Sequence, residues 1–232
     1  AHGLVLGADR PGGEILVIDE NTNSIIKRTS VGLPRDVLAE PTGFWVSEVI
    51  GPSVVKLDTN GDVVSGSRIT FPSGSIPFRL RFKNGILYLT DAGLNRVWLI
   101  DVSNFTIITY FTAGIGPWGS DVNGTTLVVS NVGSDDLTVI NTANSTSSTI
   151  ALSSGDHPHD VRIYSSAAGN VYAVACSGTG KIKFLSPSGS LLYTKTVQTD
   201  PAVISEQDSE GYFYNSNALS QVLTATRLEG VN

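Results

Sequence analysis

Short apolar–polar alternations, each followed by turn residues, run the length of the chain, and nowhere do apolar positions recur at helical spacing for long. One alternation recurs most clearly: ILVID at 15–19, VVKLD at 54–58, VWLID at 97–101, LTVIN at 137–141, IKFLS at 182–186 and, more weakly, VLTAT at 222–226. Subtracting first positions puts successive copies 39, 43, 40, 45 and 40 residues apart. Each of the first five leads through a polar turn into another β-prone run: ENTNSIIKRT, TNGDVVSGSRI, VSNFTIITYF, TANSTSSTIAL and PSGSLLYTKTV. A strand, a tight turn and a second strand is the natural reading.

Ahead of each copy lies another strand: LVLGAD (4–9), FWVSE (44–48), LYLTD (87–91), LVVSN (127–131), VYAVAC (171–176) and YFYNS (212–216). Their last residues form a matched set of Asp9, Glu48, Asp91, Asn131, Cys176 and Ser216. Upstream again is a proline-led strand: PRDVLAE (34–40), PFRLRF (77–82), PWGSDV (117–122), PHDVRIY (158–164) and PAVISEQ (201–207). Proline suits the first position of a strand, where its missing N–H does no damage to the ladder.

The repeating unit is therefore four short antiparallel strands in about forty residues. One such sheet cannot bury both of its faces, whereas radial stacking does. The prediction is all-β: a single domain over residues 1–232, a six-bladed β-propeller of four-stranded antiparallel blades, with five blades and extra terminal strands as the alternative. Two packed sheets predict no fixed period. The first blade lacks its innermost strand, and the last runs out after its third unless TRLEGVN (226–232) supplies an outer one. Exposed edges are templates for strand addition from another copy of the chain, which would build a fibre or surface lattice.

The spacing and the words resemble the YVTN family of propellers of surface-layer and secreted proteins, whose repeat runs P-x-x-V, a glycine turn, a YVTN-like strand, VxVID, then TNxVVxTIxVG. VVSNVGSDDLTVINTANSTSSTI (128–150) and EILVIDENTNSIIKRTSVGLP (14–34) match best. The words are similar to those of NHL-type repeats as well. They describe scaffold and carry no catalytic signature.

Composition narrows the function. Only 16% of residues are charged and the net charge is −6, which argues against a nucleic-acid partner. No apolar stretch is long enough to span a bilayer, so no membrane span is expected. Cys176 is the single cysteine, so no intrachain disulfide is available. A chain that starts at Ala1 and holds no methionine predicts a processed N-terminus, a secretion signal removed, and an extracellular or cell-surface location. Asn104, Asn123 and Asn144 head glycosylation-type triplets.

In a four-stranded blade, the start of the first strand and the end of the second lie at one end, and the glycine turns and NTN-type turns lie at the other. The three asparagine triplets belong to that second end. GDHPHDV (155–161) looks like a metal site, but its proline aligns with the other four. His159 then takes the slot of Arg35, Phe78, Trp118 and Ala202, and Asp160 that of Asp36, Arg79, Gly119 and Val203. An H-x-H pair projects its imidazoles to alternate sides of an extended segment, a poor start for one tetrahedral site.

The expected ligand-binding set at the channel mouth is Arg35, Asp36, Glu48, Phe78, Arg79, Asp91, Trp118, Asn131, His159 and Asp160. Aromatic faces flanked by carboxylates, amides and arginines suit a carbohydrate or a protein ligand. The competing reading is scaffold: Arg35 pairs with Glu48, and the acidic or amide residue ending each second strand ties down its own loop. The resulting expectation is a non-catalytic binding or adhesion module needing no cofactor. The fibre or lattice subunit is one alternative. The other is a lactonase-like hydrolase, in which Glu48, Asp91, Asn131 and Asp160 imitate the oxygen ligands of a divalent cation such as calcium. Against it, Arg35 and Arg79 oppose a cation, G-x-S-x-G is absent, and Cys176 has no identifiable histidine partner.

Overall fold

The structure is a computed structural model that describes residues 4–166, 169–197, 200–205, 212–217 and 222–227. These residues form strands throughout, arranged as six antiparallel sheets. No helix among them is long and apolar enough to cross a membrane. The chain divides into two units, Ala1–Tyr110 and Phe111–Asn232.

In the first unit, β1 (Leu4–Asp9), β2 (Glu14–Asp19) and β3 (Ser24–Ser30) make a three-stranded sheet. The second sheet holds β4 (Pro34–Glu40), β5 (Gly43–Glu48), β6 (Ser53–Leu57) and β7 (Ile69–Thr70). The third holds β8 (Pro77–Lys83), β9 (Ile86–Asp91), β10 (Arg96–Asp101) and β11 (Thr106–Thr112), the last of which reaches the unit boundary. In the second unit, β12 (Pro117–Asn123), β13 (Thr126–Asn131), β14 (Asp136–Asn141) and β15 (Thr146–Ala151) form one sheet. A further four-stranded sheet follows in β16 (Pro158–Ser166), β17 (Gly169–Cys176), β18 (Lys181–Leu185) and β19 (Leu191–Thr196). The last sheet has three strands among the described residues: β20 (Pro201–Ile204), β21 (Tyr212–Asn217) and β22 (Val222–Arg227).

The quartet read from the sequence is thus present in four of the six sheets, and the first and last hold three strands each among the described residues. The glycine turns at 167–168 and 206–211, and residues 228–232 of the TRLEGVN segment, lie outside the described residues. Two details differ from expectation. The outer strand expected within TNGDVVSGSRI shrinks to Ile69–Thr70, with an isolated bridge from Val63 to Leu57. The two glycines of that segment, with Asn60, Asp62, Ser65 and Ser67, favour turns over a ladder. The sixth second-strand also slips by one: Asn217, not Ser216, faces Pro201 and pairs with Val222.

Strand alternation explains why the second strands read as unbroken apolar runs. Val171, Ala173 and Ala175 of β17 pack with Ile204 and Phe213 of the sheet after it, while Tyr172, Val174 and Cys176 pack with Val128, Leu137 and Ile150 of the sheet before it. Period-two alternation therefore feeds two cores, one on each face. The first unit repeats the scheme: Trp45 joins Leu80, Leu89, Trp98 and Ile100 on one side, and Phe44 and Val46 join Ile15 on the other. Outer strands β3, β11, β15 and β19 are largely exposed, whereas the second strands β5, β9, β13 and β17 are the most buried of their sheets.

Cys176 belongs to this core. It is fully buried, and burial pushes its thiol up to about 12. The thiolate is the reactive form. Iodoacetamide at mildly alkaline pH is therefore expected to leave native protein unlabelled and to label one site once denaturant is added; rapid labelling of the native chain would contradict this core.

Candidate functional site

The proline corner is built the same way in five sheets. Pro34, Pro77, Pro117, Pro158 and Pro201 stand opposite Glu48, Asp91, Asn131, Cys176 and Asn217. Immediately after each proline the inner strand carries one extra residue relative to its partner, a β-bulge. A bulge leaves a residue unpaired and re-aims its side chain. Arg35, Phe78, Trp118, His159 and Ala202 occupy the position after the proline, so each projects from an irregular corner and not from a regular ladder.

The bulge would orphan a buried N–H, and a hydroxyl on the neighbouring strand accepts it. Asp36 N donates to Ser47 Oγ at 3.0 Å, Arg79 N to Thr90 Oγ1 at 3.0 Å and Gly119 N to Ser130 Oγ at 3.0 Å. All three hydroxyl residues are buried. They explain the recurring S-E, T-D and S-N pairs: the first residue satisfies the bulge and the second holds the loop. Sequence reasoning missed the bulge, although the hydroxyl before each acid or amide was its visible trace.

The second residue acts as follows. Glu48 is fully buried; Oε1 accepts from Gly32 N at 2.9 Å, and Oε2 receives Ser53 Oγ at 2.5 Å and the Arg68 guanidinium. Arg68, not Arg35, is therefore the partner of Glu48. Asp91 Oδ1 accepts from the N–H groups of Ile76, Gly93 and Leu94 at 2.8, 3.1 and 3.2 Å, and Oδ2 from Trp98 Nε1 at 2.9 Å. Asn131 faces a carboxylate, Asp136, where Asp91 faces Arg96, so a donor is needed there. Its Nδ2 gives 2.6 Å to Asp136 Oδ1 and 2.9 Å to Thr138 Oγ1. Glu48, Asp91 and Asn131 thus hold their own corners, as the scaffold reading expects.

Aspartates on inner strands join neighbouring sheets. Asp36 Oδ2 accepts Leu80 N at 2.8 Å in the first unit; in the second, Asp121 Oδ2 accepts Ile163 N at 2.8 Å and Asp160 Oδ2 accepts Ile204 N at 2.9 Å.

What remains on display differs from sheet to sheet. In the first unit, Arg35, Asp36, Phe78 and Arg79 line a recess of about 170 Å³. The Arg35 guanidinium lies 3.8 Å from the centre of the Phe78 ring. Burial, followed by the like charges of Arg10 and Arg79, lowers the Arg35 guanidinium to about 10. Burial raises the Asp36 carboxyl, against the opposing pull of Arg79, the Leu80 N–H and Arg81. In the second unit, Trp118 and His159 stack at 4.7 Å with their planes 5° apart, and His159 Nδ1 stands 3.7 Å from Asp200 Oδ1. Buried Asp160 pairs with buried Arg162 at 3.4 Å.

The GDHPHDV residues turn to separate partners. Asp156 binds Thr179 and Lys183, His157 N donates to Asp135 Oδ1 at 2.7 Å, and His159 lies on Trp118. Among the described residues, no three His, Cys, Asp or Glu side chains are grouped to hold a metal ion. His157 has φ 45°, as Leu33 and Asp200 before their prolines have φ 48° and 60°, so its unusual backbone belongs to the repeated corner.

The asparagine triplets sit at the far end of their sheets from the prolines. Asn104 and Asn144 are exposed, whereas the Asn123 amide donates to Ser165 Oγ at 2.9 Å.

No protein-family model matches the sequence, and no curated protein does either. Solved structures do match. Virginiamycin B lyase from Staphylococcus aureus, a catalytically inactive form with quinupristin, is 18% identical with a TM-score of 0.81, over 98% of this chain and 78% of that one. A protein of unknown function from Bacteroides caccae is 15% identical with a TM-score of 0.71, over 92% and 82%. BamB from Moraxella catarrhalis is 13% identical with a TM-score of 0.65, over 98% and 82%. With the six sheets described above, these likenesses place the chain among β-propellers. At such identities the likeness speaks for fold alone, since this architecture serves many functions.

Proposed function

We propose that the chain is a six-bladed β-propeller that serves as a non-catalytic binding or adhesion module, outside the cell or on its surface, taking a carbohydrate or protein ligand at the proline corners. One observation carries the reading: five bulged corners share a scaffold, yet the residue displayed after the proline is Arg35, Phe78, Trp118, His159 or Ala202. Uniform scaffold with variable display is how binding surfaces are carried on rigid folds. The mixture of aromatic rings and guanidinium groups suits a polar, ring-bearing ligand such as a carbohydrate.

A glycan array probed with the full chain tests it. The expected result is binding to at least one glycan class, weakened by Trp118→Ala or Arg35→Ala with the melting temperature nearly unchanged. Trp118 and Arg35 are only partly buried, so their loss spares the core. An array without binders would remove the carbohydrate reading, and binding indifferent to both substitutions would remove the proline corners as the binding site. The likeness to a lyase motivates the catalytic alternative, which turnover of a substrate by the purified chain would establish in its place.

A further inference from the structure

Outer strands end their sheets, and most of them are guarded against pairing with another chain. β3 (SIIKRTS) carries Lys27 and Arg28 and bulges against β2. β7 is two residues long, β15 shows no exposed large apolar side chain, and β19 carries Lys195 and bulges against β18. β11 (TIITYFT) is different: seven residues without charge, proline or glycine, all exposed except half-buried Phe111. Isoleucine, threonine, tyrosine and phenylalanine are all strand formers. β10 lies on one side of β11, and no strand lies on the other among the described residues. Ile107, Ile108 and Tyr110 are exposed on it, and among the described residues no other strand shows three large apolar side chains to solvent. Trp98, edge-on at 5.1 Å, and the Arg96 guanidinium, 4.0 Å from the ring centre, fix Tyr110 in place.

We propose that β11 pairs antiparallel with β11 of a second copy of this chain, about a two-fold axis through Thr109. The strand is self-complementary about that residue. Across the axis Thr106 faces Thr112, Ile107 faces Phe111, Ile108 faces Tyr110 and Thr109 faces itself. Every opposed pair is then threonine with threonine or an aromatic ring with a β-branched chain, the cross-strand pairs that stabilise antiparallel ladders. Sliding one copy by two residues sets Ile107 against Thr109 and Thr106 against Tyr110, and the match is lost. Seven facing pairs close about six to eight backbone hydrogen bonds, since alternate pairs exchange two each. Charge favours the same occupant. A net charge of −6 holds copies apart, and an uncharged strand lets two approach without setting like charges opposite each other. A charged peptide finds no complement on β11. The contact is isologous and closes at two copies, unlike the open-ended fibre expected from strand addition at the terminal sheets. Strand pairing alone buries less than a standard interface, so the expected Kd is on the order of 10–100 µM. Antiparallel pairing turns the Pro77 ends of the two third sheets in opposite directions. Under the binding-module reading, on which this consequence alone rests, the dimer bridges two ligands and does not grip one with both copies.

Sedimentation velocity of the full chain from roughly 1 to 300 µM, a range that brackets such a Kd, tests this. The expected result is a concentration-dependent shift from monomer to dimer with no larger species. Thr109→Lys sets two like charges face to face at the axis and is expected to weaken the dimer about tenfold or more. Ser148→Lys, on the exposed strand β15, should leave it unchanged. Both side chains are exposed, so thermal melts of both variants should match the parent. Cross-linking gives a second readout: Thr109→Cys treated with a short bismaleimide should yield a covalent dimer, and Ser148→Cys should not. Cys176 is buried and stays out of that reaction. A chain that is monomeric throughout overturns the proposal, as does a dimer that Thr109→Lys leaves intact. So does association that continues past two copies, or cross-linking that is equal at the two cysteine positions. A monomeric chain that instead takes up a synthetic strand peptide of unrelated sequence gives the edge to a different partner and overturns self-pairing. The glycan array decides the ligand and sedimentation decides the dimer, so either reading can fail without the other.

Discussion

Replacing Asp91 by alanine is expected to lower stability by about 3–5 kcal/mol, the scale of several buried donors left without their acceptor. The carboxylate is fully buried and accepts four N–H groups, from Ile76, Gly93, Leu94 and the Trp98 indole. Each donor stranded away from water costs about 1–3 kcal/mol, and partial hydration of the loop keeps the total below the sum. Asp91→Asn is expected to fall between, at about 1–3 kcal/mol, because its amide can accept at Oδ1 but then turns a donor toward Trp98 Nε1. Urea denaturation followed by tryptophan fluorescence reads both. A ligand role would give the opposite pattern: Asp91→Asn would melt like the parent and lose only binding. An Asp91→Asn variant as stable as the parent would therefore return Asp91 to the candidate ligand set.

The same contrast shows what the sequence could reveal. The period was legible because five of the six sheets repeat proline, second strand and VxxID-like run at nearly constant spacing, and because a second strand buried on both faces must be largely apolar. The local ties of Asp91 and Glu48 were legible as well, since acids followed closely by Gly and Asn commonly cap their own loops. Partners distant in sequence were not. Glu48 takes Arg68 from a segment where the outer strand shrinks to two residues, and no periodicity announces it. Arg35 goes instead to Phe78, forty-odd residues on, because the bulge turns both side chains out of the ladder. The slip from Ser216 to Asn217 has a similar origin: YFYNSN carries polar residues on both faces at its end, so parity gave no clue to which residue meets Pro201. The bulges themselves left only hydroxyls as a trace, and a serine's acceptor role is invisible until the strand opposite is known.

Gly119 provides the sharpest test of how inner strands pack in the second unit. It stands in the slot held elsewhere by Asp36 and Asp160, and the tie to the next sheet has moved two residues along, to Asp121. The reason is space. A Cβ built on Gly119 would lie 2.7 Å from the Asp160 Cα and 2.9 Å from the His159 carbonyl oxygen, and would collide with Asp160 Oδ1. Its φ is not positive, so backbone strain is not the issue; crowding is. Gly119→Ala must push β16 away from β12, stretching the Asp121 to Ile163 bond and parting the Trp118–His159 stack. The expected loss is about 3 kcal/mol, at the upper end of overpacking costs, or roughly 6–12 °C in melting temperature for a chain of this size. Gly124→Ala is the control: its φ of 59° is positive but nothing lies within 4 Å of an added Cβ, so only about 1–2 kcal/mol of left-handed strain is expected. Adding Asp160→Ala to Gly119→Ala removes one colliding oxygen but leaves both backbone contacts, and it strands the buried Arg162 guanidinium. The double variant should therefore be no more stable than the single one. A Gly119→Ala protein that melts with the parent would mean that β12 and β16 stand farther apart than the Asp121 bond allows.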